Sequence, residues 1–119
     1  MSLPFTDNIT ALNAVTATTT SLGYDVSKRQ QITVQFIASA ITSGTGAFTI
    51  DGSNDGANWV TGIAFRDSKS TSSTTWVVTK TLSANGTEAA FVPAGFKLIR
   101  VVVTRTTDGT YSAIIQNAG

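Results

Sequence analysis

Along most of the chain, apolar and polar positions alternate with a period of two. In QITVQFIA, Gln31 to Ala38, residues Ile32, Val34 and Phe36 fall on one face, the pattern of a strand with one side buried. GAFTIDG sets Phe48 beside Ile50, NWVTGIAF runs from Trp59 to Phe65, and TWVVTKTL and EAAFVP come next. FKLIRVVVTR separates Phe96, Leu98 and Arg100 from Lys97, Ile99, Val101 and Val103, and TYSAIIQ closes the series. TALNAVTATTTSL fits a first strand or a short helix; its threonines favour the strand, because a branched Cβ suits a pleated surface. Gly-, Asn- and Asp-containing segments punctuate the runs: SGTG, DGSNDG, ANG, PAG and TDGT. The Asp108–Gly109 pair in RTTDGTY predicts a hairpin joining the last two strands as antiparallel neighbours. Roughly seven or eight short strands with no helix of useful length predict an all-β protein, an antiparallel β-sandwich or jelly roll.

The opening segment has a different tone. Leu3, Phe5, Ile9 and Leu12 lie among polar residues and make no long core pattern. Residues 1–21 are therefore an N-terminal arm or a first strand, and residues 22–119 the sandwich domain. As an arm, the four apolar residues would be candidate interface positions on a neighbouring chain; as a strand, they would bury within their own chain.

Composition narrows the chemistry. The 119 residues carry a net charge of +1, with only 13% charged, about half the usual globular share. Threonine and serine fill the difference, giving a nearly neutral, hydroxyl-rich surface. Such a surface suits contact with proteins or sugars and lacks the field that steers toward nucleic acid. Lys28–Arg29 is the one adjacent basic pair, and no basic stripe with interleaved aromatics is present. The sequence has no cysteine and no histidine, which excludes thiol chemistry and imidazole acid–base or metal chemistry. No apolar run reaches the roughly 20 residues of a membrane helix, and MSLPFTDNIT does not read as an export signal. Neither nucleic acid nor a membrane is an expected partner.

The densest constellation is DGSNDGANW, Asp51 to Trp59. Asp51, Asn54 and Asp55 offer oxygens, but no carboxylate closes a calcium loop, and strands rather than helices flank it. Asx side chains that bond to backbone two residues on, with Gly52 and Gly56 supplying positive φ, explain the same residues as a turn. Trp59 is then a core anchor beneath it, expected to be largely buried. The seven carboxylates, Asp7, Asp25, Asp51, Asp55, Asp67, Glu88 and Asp108, lie mostly in turns, so no facing pair of the kind a glycosidase needs is evident. The expectation is a protein that is not an enzyme and has no cofactor. Arg100 shares its parity with Phe96 and Leu98, so it is partly buried beside a carboxylate or marks an interface. Trp76 is read first as a core residue, and as an interface anchor or sugar platform if exposed.

SNDGANW is similar to a turn of discoidin-like (coagulation factor 5/8 type C) binding sandwiches, and FKLIRVVV resembles a late strand of the same modules. That resemblance implies a carbohydrate-binding module. Over a longer span, GAFTIDGSNDGANW and FKLIRVVVTRTTDGTYSAIIQ resemble small β-sandwich virion proteins of tailed phages and other viruses: capsid decoration proteins, head fibres and minor capsid components. This broader resemblance implies a non-enzymatic virion structural protein, located in the virion, with copies of itself and other virion proteins as partners. A glycan is the partner implied by the alternative.

Overall fold

The computed structural model describes residues 6–27, 31–67 and 76–118. Among the described residues, ten strands form two antiparallel sheets packed face to face. The front sheet has the order β1 (Thr6–Val15), β10 (Thr110–Ala118), β4 (Gln31–Ser39), β8 (Gly86–Val92), β6 (Arg66–Asp67). The back sheet has the order β2 (Thr19–Thr20), β9 (Leu98–Thr106), β5 (Thr45–Ser53), β7 (Lys80–Leu82), with β3 (Tyr24–Asp25) also paired to β9. The sandwich is the predicted architecture; the excess over eight strands comes from the two-residue pieces β2, β3 and β6. No helix long and apolar enough to cross a membrane occurs among the described residues.

The core obeys the alternation. Ile32, Val34 and Phe36 of β4 face Phe48 and Ile50 of β5 and Ile99, Val101 and Val103 of β9, all buried. Phe36 stacks on Phe48 with centroids 4.6 Å apart, and Phe65 and Tyr111 add edge contacts at 6.0 and 5.9 Å, near the favoured separations for aromatic pairs. The Tyr111 hydroxyl donates to the Asp108 carbonyl at 2.9 Å, so its polar end is satisfied inside the apolar layer. Burial pushes the phenol pKa up.

From β3 onward the chain changes sheet at every step, and no two consecutive strands pair with each other. The expected β9–β10 hairpin is therefore incorrect. β9 lies in the back sheet and β10 in the front sheet, and residues 107–109 arch between them. Asp108 does not close a two-residue turn. Its carboxylate reaches across to accept from the amides of Thr42, Ser43 and Gly44 at 3.2, 3.2 and 2.9 Å. The β9–β10 arch is thereby clasped to the β4–β5 arch. Thr107 and Gly109 take φ values of 72° and 111°, and Tyr111 drops inward directly behind them.

β1 also departs from simple alternation. Ile9 pairs with Ile115 and Leu12 with Ala113, with a register shift between Thr10 and Leu12. The extra residue of this bulge reverses the facing of the residues beyond it. Residues three apart, Ile9 and Leu12, thus both point inward.

Candidate functional site

The turn after β5 is built by its own side chains. Ser53 Oγ donates to the Asn58 carbonyl at 2.6 Å and accepts from Gly56 N at 2.9 Å. Asp55 Oδ1 accepts from the amides of Ala57 and Asn58 at 2.9 and 2.8 Å, and its Oδ2 from Asn58 Nδ2 at 2.8 Å. The Asn58 contacts lead in holding the Asp55 pKa far below the ordinary carboxylate value. Asn54 Oδ1 accepts from Lys97 N at 2.9 Å, tying the turn to the start of β9. Gly56 has φ 78°, a conformation a side chain would strain; Gly52, expected to share it, instead continues β5 in register with Ile99 and is not at positive φ. The loop closes where Gly52 and Val60 exchange backbone bonds of 3.0 and 2.7 Å.

Below this turn, Asp51 and Arg100 lie opposite each other on β5 and β9. Arg100 Nε donates to Asp51 Oδ2 at 2.9 Å, and Gly62 N donates to Asp51 Oδ1 at 3.0 Å. Asp51 is 3% exposed. The Arg100 guanidinium lies over the Trp59 ring, 4.3 Å from its centroid. A Cβ at Gly23 would come within 2.8 Å of Trp59 Cη2, so the glycine permits the close approach of the β2–β3 connection. Trp59 is thus half-buried on the outer face of the back sheet rather than largely buried in the core. The inner side at this level is already filled: a Cβ on Gly52 would lie 2.6 Å from the Phe96 ring. Asp51, Asn54, Asp55, Gly56 and Trp59 come together as a loop anchor whose oxygens face amides and a guanidinium. Among the described residues no three His, Cys, Asp or Glu side chains gather in a group that could hold a metal.

The other sequence-derived positions are scattered. Leu12, expected as interface surface if the opening segment were an arm, is 2% exposed in the chain's own core, and Ile9 packs against that core; the bulge in β1 is the reason. Leu3, Phe5, Lys28 and Arg29 lie outside the described residues. Trp76 is 50% exposed, contrary to its reading as a core residue. Phe65 and Val77 exchange backbone bonds of 2.8 and 2.9 Å, and it is Val77 that packs inward; alternation turns Trp76 out. Val60 and Val78 are also exposed, at 54% and 52%, and a Cβ built on Gly62 would lie 4.0 Å from Val78 Cβ.

A surface that the sequence pattern did not single out is the outer face of the front sheet. The pairing registers align Asn8, Gln116, Thr33, Phe91 and Arg66 in one row across β1, β10, β4, β8 and β6. A second row, one level along, holds Thr10, Ile114, Gln35 and Ala89. Two shallow depressions occupy this face and meet at Thr33. One, of about 420 Å³, is lined by residues of both rows; the other, of about 340 Å³, lies against Gln31, Arg66 and Phe91. Small residues in the middle, Thr33 and Ala89, form the low floor between longer neighbours. The Arg66 guanidinium lies 4.9 Å from the centroid of Phe91, which is 41% exposed. The signal was present in part, since QITVQF places Gln31, Thr33 and Gln35 on the polar side of β4. The rest depends on pairings between distant segments.

No protein-family model and no curated protein matches the chain. Among solved structures it is similar to the crystal structure of the SPBc2 prophage-derived protein YomS, with a TM-score of 0.72. The likeness spans 98% of this chain and 97% of that chain, at 16% sequence identity. At that identity the two proteins share a fold.

Proposed function

We propose that the chain is a non-enzymatic structural component of a viral particle, attached to the capsid surface and assembling there with other copies or other virion proteins. The observation that carries this reading is the agreement of 98% of the chain with the fold of a prophage-derived protein. The surface supports it. Val60 and Val78, 54% and 52% exposed, offer apolar side chains of the kind that anchor a protein contact within a polar rim. The site chemistry fits as well, because the carboxylates of the 51–59 turn are engaged in holding the loop. The test is quantitative mass spectrometry of particles purified through a density gradient. Multiple copies per particle, retained after a high-salt wash, are expected; absence from washed particles overturns the reading.

A second reading, a carbohydrate-binding module, is favoured by one specific observation: Trp76 is half-exposed and so could serve as a platform for the apolar face of a sugar ring. Glycan-array binding by the isolated protein tests it, and a blank array would dismiss it.

A further inference from the structure

We infer that the outer face of the front sheet is a binding site for a neutral oligosaccharide lying across the strands, with Trp76 at one end of its track. The proposal rests on the carbohydrate-binding reading, is compatible with a place in a virion, and adds the surface, the contacting residues and the charge class of the ligand.

The track is set by register. Asn8, Gln116, Thr33, Phe91 and Arg66 are consecutive cross-strand neighbours, so the row crosses four inter-strand gaps, about 19 Å at roughly 4.8 Å each. The antiparallel bond pair between Phe65 and Val77 puts Arg66 and Trp76 at the next level. Since Phe65 is buried, that level faces outward. The row therefore runs from amides through a hydroxyl to an exposed phenylalanine, a guanidinium and an exposed indole.

This order of side chains matches the two needs of a neutral sugar chain. Side-chain amides carry both donors and acceptors, and a threonine hydroxyl does the same, so each can meet a sugar hydroxyl in either sense. Aromatic faces cover the apolar faces of sugar rings while their edges stay wet. Charge selects further. Of the described side chains on this face only Arg66 is charged, and it already lies on the Phe91 ring. A nucleic acid or sulfated glycan would need several cations to offset its phosphates or sulfates. Shape argues against a globular partner. The two-row depression spans about 14 Å by 7 Å, and its low floor at Thr33 and Ala89 fits a narrow chain better than a flat protein surface. Its volume of about 420 Å³ lies within the range of small-ligand sites.

The test uses the full chain, labelled with nitrogen-15, titrated with neutral hexasaccharides of glucose, mannose, galactose and N-acetylglucosamine and with a sulfated heparin hexasaccharide. At least one neutral sugar is expected to shift amide signals of Thr33, Gln35, Ala89 and Gln116, leaving those of Thr49 and Val102 on the back sheet unmoved. T33A, Q116A and W76A should each lower affinity about fivefold to tenfold, the scale of one hydrogen bond or one stacking contact, with the folded spectrum preserved. Binding that W76A abolishes but T33A and Q116A leave intact overturns this site while sparing the carbohydrate-binding reading. No shift with any sugar overturns both. Preference for the heparin fragment overturns the neutral class, and a change in sedimentation mass on T33A or Q116A identifies the face as a contact between copies and overturns the proposal.

Discussion

Replacing Asp51 by alanine removes the centre of the Asp51–Arg100–Trp59 anchor. The carboxylate is 3% exposed and accepts two bonds, from Arg100 Nε at 2.9 Å and from Gly62 N at 3.0 Å. A hydrogen bond to a charged group contributes about 1.5–3 kcal/mol, and an orphaned amide costs about 1 kcal/mol more. The Arg100 side chain is 25% exposed, so the stranded guanidinium recovers some water and keeps the Trp59 face. The loss should then fall near the lower end of the roughly 3–5 kcal/mol for breaking a buried pair, about 3 kcal/mol. An unfolding entropy of about 2.1 cal/mol/K per residue over 119 residues gives about 0.25 kcal/mol/K. D51A should therefore lower the melting midpoint by about 12 °C in differential scanning calorimetry. D51N, which still offers an oxygen to Gly62, should lose about half as much. The D51A/R100A double variant should be less destabilised than the sum of the single ones by about 2 kcal/mol. A D51A shift below about 3 °C, or full additivity, would refute the anchor.

Other contacts carry expectations of their own. L12A should cost about 3 kcal/mol as a core truncation, and deleting residues 2–12 should unfold the protein by circular dichroism, because β1 completes the front sheet; a folded deletion product would contradict this. Asp55 and Asp108 have lowered pKa values, the first held chiefly by Asn58 and the second by the Thr42 amide. Their contribution to stability is full above the ordinary carboxylate value near 3.8 and is lost as pH falls through the lowered folded values. The melting midpoint should accordingly drop steeply below about pH 4, and D55N and D108N should each flatten that limb. G46A places a methyl group inside van der Waals contact of the Tyr111 ring and should cost about 1–3 kcal/mol by overpacking, read by chemical denaturation. Because each arch changes sheet, stopped-flow refolding should take milliseconds to seconds, as for other sandwiches of non-local contacts.

The features legible in the sequence were those that depend on alternation. The inward sets of β4, β5 and β9 are those of Ile32–Val34–Phe36, Phe48–Ile50 and Ile99–Val101–Val103, and the Asx-rich turn is closed by the residue types that suggested it. The features that could not be read depend on partners far along the chain. Asp108–Gly109 has the chemistry of a hairpin turn, but the Asp108 carboxylate answers three amides more than sixty residues away. Leu12 has the wrong parity for a strand core until a bulge corrects it. Trp59 and Trp76 both begin apolar runs, yet Phe96 and Val77 hold the inward places beside them. The front-face row draws on five strands, none of which pairs with its neighbour in sequence.

The claim that this chain is a virion component is tested most directly by counting it in particles. Gradient-purified, salt-washed viral particles released from cells that express the gene should contain the chain at a fixed number of copies relative to the major capsid protein, measured by isotope-dilution mass spectrometry. A chain found only in infected-cell lysate, with none in the washed particles, would contradict the account.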